Sequence, residues 1–340
     1  MNDRTTDESQ SGLKFYQQVF AGAWITQAVS VAAELGIADL LAGRPLRVEE
    51  LAEQSGAHAG ALYRILRALA SVGVFAEEAG HRFALTPMAD LLRTDAAGSQ
   101  RAYAIMMGGE FQATWGELMH SARTGEPGFQ KRFGKPFFEY MTEHADRHGI
   151  YDAAMTVVHG AETEPMLDAY DFSAFRTVAD IGGGKGLMLA GLLKRHSGVQ
   201  GILFDLPAVA DRAHASISSL GLQDRCRIEG GDFFQAVPQG VDAYLLRHII
   251  HDWEDADAVR ILRNCREAMN GDGRVLVVEM LIPQGGASGF SKWLDLMMLL
   301  VGGRERTREE YSALFASAGL KLNRVIPTTS EICILEGVRA

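Results

Sequence analysis

Between Leu13 and Leu41 apolar residues recur at intervals of three and four, the spacing that keeps one face of a helix against a core. A compact module follows. VEELAEQSG reads as a short helix stopped by Gly56, and HAGALYRILRALASVG as a second stopped by Gly73; both glycines stand where a helix end turns left-handed. VFAEEAGHRFALT predicts a β-hairpin turning near Ala79-Gly80, and Thr86-Pro87 an N-cap with proline at the first helical position. Helix, helix and hairpin make a winged-helix pattern. Residues from about 100 to 170 look mainly helical, with loops at TGEPGF and FGKP. From Phe172 the period changes. Short β-branched runs (TVADI, GILF, CRIE, AYLLR, RVLVVEM) alternate with helical segments, which predicts an α/β fold with a doubly wound, Rossmann-like sheet. KLNRVI and EICILEG, joined by PTTS, should add an antiparallel C-terminal hairpin.

Composition narrows the partners more than the fold. With 340 residues, 47% hydrophobic and 22% charged, the chain can bury the cores of two domains. A net charge of −10 opposes nucleic acid and anionic membrane. The winged-helix module is itself acid-rich: Arg47, Arg64, Arg67 and Arg82 face Glu49, Glu50, Glu53, Glu77, Glu78 and Asp90, so packing or dimerisation suits it better than reading a duplex. Cys226, Cys265 and Cys333 are widely spaced and lack CxxC pairing, which argues against disulfides and a thiolate metal site and for a reducing cytoplasm. WLDLMMLLV is too short to span a bilayer, and the polar opening MNDRTTDESQSG has no apolar signal region, so a soluble protein with a frayed N-terminus is expected.

The chemistry gathers at strand ends. TVADIGGGKG runs from a strand through Asp180 into Gly182, Gly183, Gly184 and Gly186, a turn that lets backbone approach a ligand. It is not a P-loop, and the third glycine of a dinucleotide fingerprint would fall on Leu187. GILFDLP ends the next strand in Asp205 and Leu206. That carboxylate can accept ribose hydroxyls, or it can cap the helix begun by Pro207. GGDFF offers Asp232 toward an adenine amino group and Phe233 beside the ring, so three strand ends converge on one adenosine-sized ligand. LLRHIIHDW poses a separate question. His251 could be a metal ligand, a base or a core residue; His248-x-x-His251 with Asp252 hints at zinc, but no further ligand cluster of known spacing accompanies it, and no metal is expected. His248 reads as a pocket or core histidine.

In order, DIGGGKG, FDLP, GDFF, LLRHIIHDWED, VLVVEMLIP and GGRERT resemble the S-adenosylmethionine-dependent O-methyltransferases of the caffeic-acid and hydroxyindole type, with their bacterial natural-product relatives. The likeness covers nearly the whole chain. It implies a helical winged-helix dimerisation domain over 1–105, a cofactor-binding methyltransferase domain over 106–340 whose first part, 106–170, is a helical substrate-pocket linker, and a homodimer built through the N-terminal domain. It also implies that His251 is the general base, with Glu279 and Glu305 flanking it and Asp252 as its neighbour. Asp205 would bind the ribose and the Gly182–Gly186 loop the methionine half. Met155, Met297, Met298 and Leu300 resemble acceptor-pocket positions, although methionines at helical spacing also suit plain core. Where plant members carry lysine four residues before the base, this chain has Arg247, which keeps the charge but alters the contact expected near the adenine.

The chemistry of the residues agrees. A phenol of pKa about 10 is protonated at neutral pH, yet its oxygen must attack a methyl carbon. A neutral histidine, pKa about 6.5 when unperturbed, can take the proton while a carboxylate holds its tautomer. For Glu279 the plainer alternative is a strand-end acid satisfied by backbone amides; for Glu305 it is one charge in the solvated run RERTREE. Thr307 and Glu310 should form a capping box. The acceptor expected is a small aromatic hydroxyl compound. Methylation at nitrogen, a fold that no longer methylates, and a nicotinamide-dependent dehydrogenase are the alternatives.

Overall fold

A computed structural model describes residues 19–340. Positions 13–18 of the first predicted helix and the expected frayed N-terminus lie outside the described residues. The chain separates into two compact units, one running up to Met119 and including Lys131–Val158, the other comprising His120–Gln130 and His159–Ala340.

The first unit opens on α1, Ala21–Glu34. The continuous helix expected as far as Leu41 is corrected: Gly36 turns left-handed at φ 64° and the chain restarts as the short helix Ile37–Leu40. Apolar spacing carries on across that break, which is why periodicity alone misses it. The winged helix follows as expected, with β1 (Leu46–Arg47), α2 (Val48–Ser55), α3 (Ala59–Ser71), β2 (Phe75–Glu78) and β3 (Arg82–Leu85). The strands order as β1-β3-β2. Gly56 and Gly73 stop their helices at φ 71° and 81°, and the Thr86 hydroxyl accepts the Ala89 N–H as the predicted cap. Ile37, Leu51, Leu62, Leu66, Phe75 and Phe83 form its apolar core. The stretch from 100 to 170 is mainly helical, ending in α4, Ala145–Ala169.

The second unit takes in α4 from His159 onward and is built on seven strands. In chain order these are β4 (Thr177–Ile181), α5 (Leu187–Arg195), β5 (Gln200–Asp205), α6 (Pro207–Ser219), β6 (Cys226–Gly230), β7 (Val241–Arg247), α7 (Asp255–Ala268), β8 (Met269–Met280), α8 (Ser291–Val301), α9 (Arg308–Ser317), β9 (Leu320–Pro327) and β10 (Ile332–Arg339). The sheet order is β6-β5-β4-β7-β8-β10-β9. Strands β4 to β8 pair in parallel, while β10 runs antiparallel to both β8 and β9, the predicted hairpin.

Both faces of the central strands β4, β7 and β8 are buried, which explains their near-continuous apolar runs, while the edge strands β6 and β9 are half-buried or exposed at most positions. Ala179, Ile181, Tyr244, Leu246, Val275 and Val277 pack into one core with α7 and α9. Their neighbours Val178, Ala243, Leu245, Leu276 and Val278 pack into the other with α4, α5 and α6. The chain works outward from β4 to β6, then returns to place β7 on the other side of β4. At such a reversal the connections diverge and leave a crevice beyond the strand C-termini. The glycine turn leaves β4 at that point, and the His251 segment leaves β7. Among the described residues no helix is long and apolar enough to cross a membrane.

Candidate active site

The loop after β4 is crowded at three of its glycines: a Cβ on Gly182 or Gly186 would come within 2.4 Å of a neighbouring side chain. Gly182, Gly184 and Gly186 have φ of 70°, 57° and 74°, a region L-residues avoid. A Cβ on Gly183 would stand 2.8 Å from Asp180 Oδ2. Asp205 pins the loop from the next strand, its Oδ2 accepting the Gly184 N–H at 2.9 Å and its Oδ1 the Leu206 N–H at 2.7 Å. Leu206 is the N-cap of α6, so Asp205 ties the glycine loop to the start of that helix. Asp180 is buried, and its Oδ2 has no hydrogen-bond partner among the described residues. Burial pushes its carboxyl up to about 6, against the pull of Arg247. An unspent buried carboxylate oxygen beneath a glycine loop held close to the sheet makes a cradle that fits a ligand bearing N–H groups or positive charge.

His251 follows β7 in one turn of 3-10 helix, Ile250–Asp252. Its Nδ1 lies 2.7 Å from Glu305 Oε1 and 3.5 Å from Glu279 Oε2, while Nε2 has Asp252 Oδ1 at 3.6 Å. Glu279 Oε1 accepts the His251 backbone N–H at 3.2 Å. Glu279 and Glu305 are 0% and 1% exposed, so Glu305 is no member of a solvated run. Burial alone would strip the His251 proton, but Glu279, Asp252 and Glu305 outweigh it and push the ring up to about 10. Three acids, from β8, the segment before α9 and the turn itself, therefore raise the proton affinity of the ring above that of the unperturbed histidine expected from sequence, so its base-competent neutral form gains with rising pH. Burial works against ionisation of Glu279 too, yet His251 and His248 hold it below the usual carboxylate range. Asp252 is pushed up to about 6 by burial.

His248 is buried, as a core or pocket histidine should be. Its Nε2 is 2.7 Å from Glu162 Oε2 on α4, and its ring stacks on His159 with centroids 4.5 Å apart. Donor atoms of His248, His251 and Glu279 lie within 4.8 Å of one another, so the fold supplies the third group that the HxxH spacing lacked. His251 Nδ1 and His248 Nε2 each already face a carboxylate at 2.7 Å, which gives the cluster the character of a proton network.

Two residues that sequence reasoning missed hold the His251 turn in place. Arg306, 1% exposed, donates to the carbonyls of Ile250 and Trp253 at 3.1 and 2.7 Å and to Asp255 Oδ1 at 2.8 Å. One signal could have found it: a cation just before the Thr307 cap opposes the helix dipole, so it needs employment elsewhere. Gly303 is the second. A Cβ there would come within 2.2 Å of the His251 carbonyl, and the Arg304 N–H donates to that same carbonyl at 2.7 Å. Thr307 and Glu310 form the predicted capping box.

Other predicted residues are placed less sharply. Asp232 Oδ1 accepts the Phe234 N–H, and Phe233 packs edge-on against Phe234 and Trp253 close to Gly182. Arg247 spends its Nη1 on the His159 carbonyl and Thr163 Oγ1 at 2.9 and 3.3 Å. Met297 and Met298 are 7% and 6% exposed on α8, and Leu300 is fully buried. Met155 lies half-buried on α4 within the first unit.

The O-methyltransferase domain family matches residues 115–321, and the O-methyltransferase dimerisation domain family residues 17–95. Over 320 residues, 94% of either chain, the sequence is 44% identical to the phenazine O-methyltransferase PhzM of Lysobacter antibioticus. It is 37% identical over 310 residues, 89% of either chain, to an 8-amino-8-demethylriboflavin N,N-dimethyltransferase of Streptomyces davaonensis. Among solved structures, an O-methyltransferase from neocarzinostatin biosynthesis in complex with S-adenosylmethionine and 2-hydroxy-5-methyl naphthoic acid matches with a TM-score of 0.84 at 35% identity, covering 93% of this chain and 96% of that one.

Proposed function

The chain belongs to the S-adenosylmethionine-dependent O-methyltransferases, and we propose that it methylates a hydroxyl on an aromatic small molecule of the natural-product kind, with His251 as general base. The observation that carries this reading is the 2.7 Å bond from His251 Nδ1 to Glu305, which leaves Nε2 as the ring nitrogen for a substrate proton. The Gly182–Gly186 loop, Asp180 and Asp205, with Leu206, Asp232 and Phe233 beside them, would hold the cofactor. Bound there, S-adenosylmethionine supplies an electrophilic methyl: the acceptor oxygen forms a C–O bond as the C–S bond breaks, and S-adenosylhomocysteine leaves.

The chain's own task is the proton. Only the neutral form of the ring can take the hydroxyl proton on Nε2, and with the imidazole pushed up to about 10 that form grows as pH rises, so methyl transfer should climb toward alkaline pH. Glu305 and Glu279 then face the imidazolium. Met297 and Met298 would offer the acceptor a pliable apolar surface. The dimerisation domain would pair two copies, which sedimentation at micromolar concentration tests.

Nitrogen is the second reading, favoured by the likeness to the riboflavin-type N,N-dimethyltransferase. An amine attacks through a lone pair it already has, so it leans on a base far less. Methyl transfer from labelled cofactor to matched aromatic hydroxyl and amine acceptors separates the two. We expect hydroxyl methylation that falls by ~10²- to 10⁴-fold in His251→Ala, with S-adenosylhomocysteine binding kept. Turnover of amines alone, indifferent to His251, would establish the second reading.

A further inference from the structure

We propose that His248 is a positioning residue for the transfer: held by Glu162, it shares the Glu279 carboxylate with His251 and so limits how tightly the base keeps its proton. The proposal rests on His251 being the general base.

The geometry is symmetrical about one atom. Glu279 Oε2, fully buried and without a hydrogen-bond partner among the described residues, stands 3.5 Å from Nδ1 of His248 and 3.5 Å from Nδ1 of His251. The two rings lie 5.3 Å apart. His248 is kept there at a cost, because its backbone sits at φ 52°, a conformation that side chains other than glycine rarely adopt. What holds it is the 2.7 Å bond to Glu162, itself 6% exposed, the stack on His159, and its N–H donated to the Val278 carbonyl.

The charges facing this group come from every side. Glu162 and His159 lie on α4, Glu279 on β8, Arg247 on β7, Asp252 and His251 on the following turn, and Glu305 before α9. Burial would discharge His248, but Glu162 and Glu279 outweigh it and raise its proton affinity. His159 is driven well down by burial and by His248, so of the stacked pair His248 is the ring that favours a proton. A cation at His248 answers Glu279 and repels a second cation at His251, and both effects loosen the proton on the base. Without it, Glu279 would act on His251 alone.

The test is the pH profile of kcat/KM for an aromatic hydroxyl acceptor, measured on the whole protein. His248→Gln should move the acid limb upward by about one pH unit, lowering the rate near neutrality about tenfold while the curves converge at alkaline pH. Glu162→Gln, which removes the anion that keeps His248 charged and barely changes shape, should move it the same way. His248→Lys keeps the charge and should return the limb toward its original place. S-adenosylhomocysteine affinity should be unchanged throughout. A limb that stays put in both glutamine variants while rates fall at every pH would make His248 merely structural and overturn the proposal, and a downward shift would overturn its sign. Failure of the underlying reading looks different: His251→Ala would then keep the wild-type profile, acid limb included.

Discussion

The winged-helix module and the C-terminal edge of the sheet are both rich in charge and treat it in opposite ways. In the module the pairs Arg44–Glu50 and Arg47–Glu49 are largely solvent-exposed, and an apolar cluster that includes Leu51, Leu62 and Leu66 forms the core beneath them. At the sheet edge Glu279, Glu305 and Arg306 are at most 1% exposed, and His248 and Glu162 are buried with them. Solvated pairs cost little and contribute little, whereas buried charge is costly and persists only where partners meet it closely. Charge in the first region therefore speaks of solubility. In the second it marks a place where proton affinity matters, since such clusters gather at reactive sites.

Substitutions that exchange these characters sharpen the contrast. The largest stability loss should come from the module: Leu66→Ala, at a fully buried position, should cost about 3 kcal/mol in urea unfolding, yet leave the pH profile of the folded enzyme unmoved. A shifted profile would mean that the two regions are not separable. Arg306→Met should cost somewhat less, about 2 kcal/mol, because it strands the Ile250 and Trp253 carbonyls. Unlike Leu66→Ala it should also depress kcat, as the turn carrying His251 loosens. Full activity in that variant would show that Arg306 stabilises without positioning. The smallest change is Glu305→Gln. Three acids raise His251, so removing one charge lets the proton go more easily and moves the acid limb of kcat/KM downward, by about one pH unit or ~1.4 kcal/mol. That direction is opposite to the one expected for His248→Gln, and equal shifts in one direction would break the electrostatic account.

Much of this organisation is legible along the chain, for reasons that are local. Gly56, Gly73, Thr86-Pro87 and the Thr307–Glu310 box end or begin helices through contacts a few residues away, and each does so in the structure. The central strands are readable because both of their faces are apolar and glycines or polar turns bound them. Gly36 is not, since apolar spacing continues past it. Glu162 carried no signal at all: its partner His248 lies 86 residues further on. Glu279 and Glu305 came from resemblance, and only burial separates Glu305 from the exposed Glu309 and Glu310 in the same acidic run.

What the order of residues determined by itself was the grammar: a winged-helix module, then strands and helices alternating, with glycines, acids and a histidine at the strand ends. Tertiary structure decided who owns the proton. Backbone turns and caps depend on neighbours in the chain, so a string of letters contains them. Proton affinity depends on charge and solvent within a few ångströms in space, and around His251 that environment is assembled from β8, the segment before α9 and the turn itself. The acids gathered there raise the proton affinity of a histidine that sequence alone leaves at its ordinary value.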